Sequence, residues 1–277
     1  MRDRQFLNFE DAIEASISEL VHMGETVDVG RWQGIDTVGK PDLVTKELIN
    51  HTFMVPMFRG SWYETLEIWA EIMAEEIHPN REWADEHFLE RVGGIPRNPD
   101  PSHTRWPWWH GQDDATKEEG KFTHTYSERF WPTQDGLSYE RPPRGIRYEF
   151  GDYHTLIQLL AREPYTRQAY LPIFFPEDTG AIHKGRIPCT LGYYFLLRDG
   201  KFHMWYTIRS CDAVRHFRDD VYLAVRLLGH TLNWLFEHEL RTEGEQVWVD
   251  VEPGNFYFTA YSFHVHRGDL HHVTPKP

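Results

Sequence analysis

Arg186-Ile187-Pro188-Cys189-Thr190 and, about twenty residues on, Arg209-Ser210-Cys211-Asp212 bracket a run of aromatic and aliphatic residues broken only by Arg198-Asp199-Gly200-Lys201. Asp-Gly between two apolar runs is the strongest short-range signal for a two-residue hairpin turn, so Leu191 to Thr207 reads as a β-hairpin. The hairpin sets a thiol, Cys189, at the start of one strand and an Arg-Ser pair where the return strand ends. A nucleophile beside an anion-binding guanidinium suits chemistry on a phosphorylated small molecule.

Composition bounds the reading. A chain of 277 residues with 15% aromatic residues and 11 Trp can bury a sizeable core, as one large domain or two small ones. The formal charge of −14 argues against polymeric nucleic acid as a partner, since that role wants a basic face. A few focused arginines holding one mononucleotide face no such objection. No run approaches the length of a membrane span, and the first residues lack an apolar signal core. Two cysteines do not make a disulfide framework, so a reducing, cytoplasmic setting is expected. Either cysteine could also be a small buried hydrophobe.

Apolar spacing predicts helices over Phe6–His22, stopped by Gly24, over Trp62–Ile77, over Tyr153–Arg162, ended by Glu163-Pro164, and over Val221–His238. Ala169–Phe175 and Phe256–His266 read as further strands. Val29 to Gly34 reads as a polar, Gly-punctuated loop. From Gly93 to Arg147, Pro, Gly, Trp and charges displace any periodicity, which marks an irregular functional insert. The expected architecture is mixed α/β (α+β), one domain over 1–277 with that insert at about 93–147.

Several motifs in one order resemble the thymidylate synthase superfamily, and within it the pyrimidine-nucleotide hydroxymethylases. They are Glu82-Trp83-Ala84-Asp85, Tyr126 followed by Trp131-Pro132-Thr133-Gln134-Asp135-Gly136, and Glu163-Pro164-Tyr165-Thr166-Arg167-Gln168. Pro188-Cys189, Arg209-Ser210-Cys211-Asp212, and Glu252-Pro253-Gly254-Asn255-Phe256 running on to His264-Val265-His266 complete the series. The resemblance implies a mixed sheet packed by helices, a homodimer formed through that sheet, a pyrimidine nucleoside monophosphate as substrate and 5,10-methylenetetrahydrofolate as co-substrate.

It also implies roles. The Cys189 thiolate, its pKa lowered by guanidinium groups such as Arg209, adds to C6 of the pyrimidine and makes C5 a carbon nucleophile. Tyr126 serves proton removal from C5, and Glu67, or Glu64 one turn earlier, organises water at the C4 substituent. Arg209 and Ser210 bind the phosphate, and Arg167 reaches into the neighbouring subunit's site. Gln168 replaces a second arginine of the family, and Arg31 or Arg129 is a candidate to compensate. Asp212 takes the folate contact, while His264 and His266 bind the sugar, with His266 standing where the family carries tyrosine. A metal is not expected: two histidines on one strand lack the third and fourth ligands zinc needs.

Asp220 falls where uracil-specific members place asparagine, and a carboxyl there matches cytosine; Asp219 is one residue away, and a helix N-cap is the other reading of Asp220. Together with Thr190, which replaces a histidine of the synthases, this points to a (deoxy)cytidylate 5-hydroxymethyltransferase of phage or biosynthetic-cluster origin. The rivals are a methylating synthase on dUMP or dCMP, a homologue that binds nucleotide without turnover, and a Cys-His hydrolase using His183. The chain runs only eleven residues past His266, so the Trp-rich insert is expected to provide the cover that a C-terminal lid gives the family.

Overall fold

The computed structural model describes residues 4–32, 35–58, 66–108, 120–131, 153–179, 187–241 and 246–274. The chain opens with β1 (Arg4–Gln5), α1 (Phe9–Met23), β2 (Glu25–Val27), a small ribbon of β3 (Arg31–Trp32) and β4 (Ile35–Asp36), and the long β5 (Thr45–Pro56). Among the described residues the α-helices α2 (Leu66–Ile77), α3 (Arg81–Val92), α4 (Tyr126–Phe130) and α5 (Tyr153–Arg162) follow. The chain then forms β6 (Tyr170–Pro172), the hairpin β7 (Thr190–Arg198) and β8 (Lys201–Asp212), α6 (Phe217–Leu240) and β9 (Glu252–His266). Among the described residues no helix is long and apolar enough to cross a membrane.

The hairpin forms where Asp-Gly predicts it. Asp199 (φ 51°) and Gly200 (φ 70°) are both left-handed, the conformation a two-residue turn needs to follow the strands' own twist. Its strands join a seven-stranded sheet of order β1-β5-β9-β8-β7-β6, with β2 paired to β5. The sheet is mixed: β8 runs parallel to β9 and β1 to β5, and the other pairs are antiparallel. The parallel β8–β9 pair is bridged by α6, long enough to span the crossover.

Helix boundaries follow their caps. The side chain of Asn8 accepts from the Asp11 amide at 2.7 Å, so α1 starts at Phe9 rather than at Phe6. α5 runs over the predicted Tyr153–Arg162. α6 begins four residues before the predicted Val221, with His216 at the cap position, which puts Asp219 and Asp220 inside the first turn. Asp220 is therefore not the N-cap. Two expected irregular stretches carry structure: Arg31–Trp32, in the expected Val29–Gly34 loop, pairs with Ile35–Asp36 as the β3–β4 ribbon, and the insert contributes α4, opened by a Thr125–Glu128 capping box.

One sheet face builds the core. Phe53 stacks on Phe258 at 4.9 Å, and Phe217 of α6 packs edge-on to Phe263 at 4.7 Å. The other face shows Tyr194, Trp205 and Tyr257, all partly exposed, with Trp205 stacked on Tyr257 at 4.4 Å.

A kink crosses three neighbouring strands. The ladder steps over Asn50 on β5, Tyr261 on β9 and Arg209 on β8, and Asn50 is left-handed at φ 55°. Beyond that row the alternation changes phase. Phe256, Phe258 and Ala260 are buried before it and Phe263 and Val265 after it; likewise Ile208 before and Cys211 after.

Candidate active site

Cys189 precedes β7 and is partly exposed. Arg209 crosses the hairpin to meet it. Its backbone N–H donates to the Cys189 carbonyl at 2.9 Å, its Nε to the Pro188 carbonyl at 2.8 Å and its Nη2 to the Ile187 carbonyl at 3.1 Å. Nη2 also lies 3.8 Å from the Cys189 sulfur. A permanent cation is thus fixed beside the thiol of a partly exposed residue, an arrangement that stabilises negative charge on sulfur. Cys211 is the opposite case: burial pushes its thiol well above the ordinary range, as befits an inert core residue.

Behind Cys189 runs a chain of hydroxyls. Thr190 Oγ1 lies 3.0 Å from Tyr126 Oη and 3.0 Å from Tyr206 Oη. Tyr126 opens α4, which is pinned to the rest of the insert: Ser127 Oγ donates to Asp100 at 2.6 Å and lies 3.0 Å from the Arg97 carbonyl. Burial raises the Tyr126 phenol above its usual range, Asp220 adds to the rise, and Arg91 opposes it. These groups therefore share one electrostatic environment.

Arg91, on α3, went unnoticed in the sequence. It is 4% exposed, its guanidinium lies 3.9 Å from the centre of the Tyr126 ring, and it makes a 3.5 Å hydrogen bond to Tyr193 Oη. Its Nε has no hydrogen-bond partner, and no carboxylate forms an ion pair with it among the described residues. A buried, uncompensated cation is costly and calls for a nearby negative charge.

The two adjacent aspartates differ. Asp219 accepts from the Asn80 amide at 2.7 Å and so anchors α6 to the start of α3. The Asp220 carboxyl has no side-chain hydrogen bond among the described residues, and burial pushes its pKa up to about 7, with Arg91 opposing and Asp219 and Asp212 reinforcing. A carboxyl that holds its proton to neutrality can donate as well as accept.

At the end of β8 and β9, Asp212 pairs in register with His264, and His266 Nε2 lies 3.9 Å from Asp212 Oδ2. Burial lowers the His264 pKa, which favours the neutral ring. Two tryptophans of the insert close over this end: Trp106 stacks on His216 at 4.6 Å, and Trp108 lies 5.5 Å from the Arg215 guanidinium.

No family model and no curated protein sequence matches the chain. A solved structure does. A thermostable thymidylate synthase A from Bacillus subtilis superposes with a TM-score of 0.60, over 97% of this chain and 82% of that one, at 15% identity. The chain has the thymidylate synthase fold.

Within the thymidylate synthase fold the remaining sequence-predicted residues scatter. Ser210 is partly exposed between Arg209 and the buried Cys211. Arg167 is exposed at the rim of the aromatic sheet face, its carbonyl accepting from Tyr194 Oη at 2.8 Å. Glu67 is exposed on the first turn of α2, with no hydrogen bond to the Cys189 cluster. Arg129 is engaged elsewhere, since its guanidinium forks onto buried Asp178 at 2.7 and 2.8 Å. It cannot compensate for the arginine replaced by Gln168. The Arg31 side chain, Glu64, Trp62, Trp109, residues 132–136 and His183 lie outside the described residues.

Proposed function

We propose that this protein is a one-carbon transferase that hydroxymethylates C5 of a cytosine mononucleotide, dCMP or CMP, using 5,10-methylenetetrahydrofolate. The observation that carries the reading is the sulfur of partly exposed Cys189, 3.8 Å from a fixed Arg209 guanidinium, in a thymidylate synthase fold. The thiolate adds to C6, the ring attacks the folate's methylene carbon through C5, and loss of the C5 proton expels the folate. Water then adds to the exocyclic methylene. The Cys189–C6 bond breaks, and the product is the 5-hydroxymethyl nucleotide.

Each site residue has a role in this scheme. Arg209 and Ser210, with Arg31, hold the phosphate. Tyr126 assists removal of the C5 proton by hydrogen-bonding the water that carries it away, with Glu67 ordering water at the C4 substituent. Asp212 contacts the folate, and His264 and His266 contact the sugar. Protonated Asp220 accepts from the cytosine amine and donates to N3. The partly exposed aromatic face supports a homodimer formed through the sheet, and the position of Arg167 on its rim supports a reach into the partner's site. Folate binds as co-substrate under the insert's tryptophans. The preference for water over hydride rests on Asp220 and on Thr190, which stands where a synthase carries histidine.

Mass spectrometry of products from dCMP, CMP and dUMP with the folate tests this directly. Gain of one CH2O unit on a cytosine nucleotide is expected. Gain of one CH2 unit instead establishes methylation, and no product together with no exchange of the C5 hydrogen establishes a binding protein.

A further inference from the structure

Two buried acids beside α4 take no part in the proposed reaction. Asp100 stands at the N-cap of the 3-10 turn Pro101–Arg105, where an aspartate ordinarily accepts from an amide of its own turn. It makes no such bond. Glu90 of α3 takes that place: its Oε1 accepts from the Ser102 amide at 2.8 Å and its Oε2 from Ser102 Oγ at 2.5 Å. With the Ser102 hydroxyl proton spent on Glu90, His87 Nδ1, 3.0 Å from Ser102 Oγ and 3.3 Å from Glu90 Oε2, is the donor to both. Burial alone would raise the Glu90 carboxyl, but the hydrogen bonds from His87 and Ser102 outweigh it and hold the group below the usual range.

Asp100 is thereby left to α4. Its Oδ1 accepts from Ser127 Oγ at 2.6 Å, and among the described residues its side chain has no other hydrogen bond. An oxygen of Asp100 lies within 4.8 Å of one of Glu90, and both residues are buried, to 4% and 9% exposure. Two carboxylates that close repel strongly where water does not screen them, so one of the pair keeps a proton. Hydrogen bonding decides which, since Glu90 has three donors and Asp100 has one. Burial pushes the Asp100 carboxyl up to about 7, with the Ser127 hydrogen bond opposing and Glu90 reinforcing. Of the other charges that reach it, Arg91 of α3 opposes the rise and Glu128 of α4 adds to it. His103, in the turn itself, meets the Asp100 backbone carbonyl through Nδ1.

We propose that the Asp100–Ser127 contact, set against the Glu90 carboxylate, is a latch that seats α4 more tightly as pH falls. α4 is five residues long, too short to persist without its contacts. Ser127 follows Tyr126 on that helix, and Tyr126 Oη lies 3.0 Å from Thr190 Oγ1, so the seating of α4 sets the hydroxyl chain next to Cys189. When α4 lifts away, water reaches Asp100 and its carboxyl returns toward its ordinary value of 3.8. The seated state then holds a proton that the unseated state gives up. The latch is complete below that ordinary value and weakens about tenfold per pH unit as pH rises toward 7. It levels off above 7, where Asp100 is ionised in both states. None of this rests on the proposed reaction.

Amide hydrogen exchange of the full-length protein, read by mass spectrometry and corrected for the intrinsic rate at each pH, tests this without substrate. Protection of residues 125–131 is taken relative to Phe256–Ala260 of β9, which reports the whole fold. In the parent that ratio is expected to fall about tenfold per pH unit between roughly pH 5 and 7 and to level off above. Asp100→Asn removes the slope, and Glu90→Gln flattens it, because Glu90 supplies part of the rise. His103→Gln, a change at a neighbour that titrates in the same range, keeps it. A flat ratio in the parent overturns the proposal, as does a slope that survives Asp100→Asn or vanishes with His103→Gln. Where circular dichroism finds Asp100→Asn misfolded, Glu90→Gln decides, and an unchanged slope there overturns the proposal.

Discussion

Replacing Asp220 with asparagine keeps the shape of the side chain and removes one titratable proton. With its pKa at about 7, the parent carboxyl is protonated on the acid side. There its O–H donates to cytosine N3 and its carbonyl accepts from the exocyclic amine. Above that pH the N3 lone pair meets a carboxylate, and each further pH unit lowers the competent fraction tenfold, about 1.4 kcal/mol. Asparagine offers one donor and one acceptor at every pH, and no side-chain hydrogen bond fixes which way its amide points. It therefore serves uracil as readily as cytosine. The protonated carboxyl can present the same donor–acceptor pair to uracil, so the parent's preference rests on the proton it shares with the basic N3 of cytosine, a charge-assisted hydrogen bond about 1 kcal/mol stronger than a neutral one, and the variant loses that preference.

Calorimetric titration of dCMP and dUMP from pH 6 to 9 reads both effects, in a Cys189→Ser background that removes the thiol's own titration. The nucleotide phosphate titrates near pH 6 in either protein and cancels in the ratio. Stability gives a second readout. The folded pKa is raised from 3.8, so the parent's stability is complete below that value and declines as pH rises through about 7. Three units set a ceiling of about 4 kcal/mol, which water at the carboxyl's edge reduces to about 1–2 kcal/mol, or several degrees of Tm at pH 8. The asparagine variant escapes this decline. An equal pH slope in parent and variant, with cytosine still preferred, refutes the base-reading role.

Other outcomes follow from the same geometry. Cys189→Ser abolishes tritium release from C5-labelled dCMP with the fold intact, whereas Cys211→Ser retains release within about threefold, since that buried thiol is inert and a small polar group replaces it at a modest stability cost. Thr190→Val preserves volume but breaks the Tyr126–Thr190–Tyr206 hydroxyl chain. Loss of about 1–3 kcal/mol, seen as roughly 10- to 100-fold slower tritium release with little change in nucleotide affinity, is expected.

How much was legible in the sequence depends on the range of the interaction. The hairpin is local, so Asp199-Gly200 announced it, and Cys189 and Arg209 at its base came with it. β5 was not announced, because Thr45-Lys46-Glu47 opens it with charge and its apolar half begins only past the left-handed Asn50. Arg91 was invisible for a different reason. In Glu90-Arg91-Val92 it looks like any solvated helix charge, and only the packing of α3 against α4 buries it over Tyr126. Asp212 meets His264 through a parallel pairing with a whole helix between the strands, and no spacing rule reports that. Whether Asp220 caps α6 turned on where that helix begins, a boundary set by three-dimensional context.

The charges around Cys189 add up to a coupled device. With Asp220 neutral, Arg91 and Arg209 leave the site with excess positive charge, which favours the thiolate and the negative charge that builds on the ring after C6 attack. Once Asp220 ionises, it cancels the field of Arg91. Asp220 and Arg91 must therefore be energetically coupled above pH 7 and nearly uncoupled below it. A double-mutant cycle of Asp220→Asn and Arg91→Met, read by tritium release, should give an interaction energy of about 1–3 kcal/mol at pH 8 that fades toward zero at pH 6. Arg91→Met alone should raise Tm, because a hydrophobic residue replaces a buried cation without an ion-pair partner, while slowing release about 100-fold. An activity loss accompanied by a fall in Tm would make Arg91 a structural prop, and a coupling energy independent of pH would remove Asp220's proton from the account.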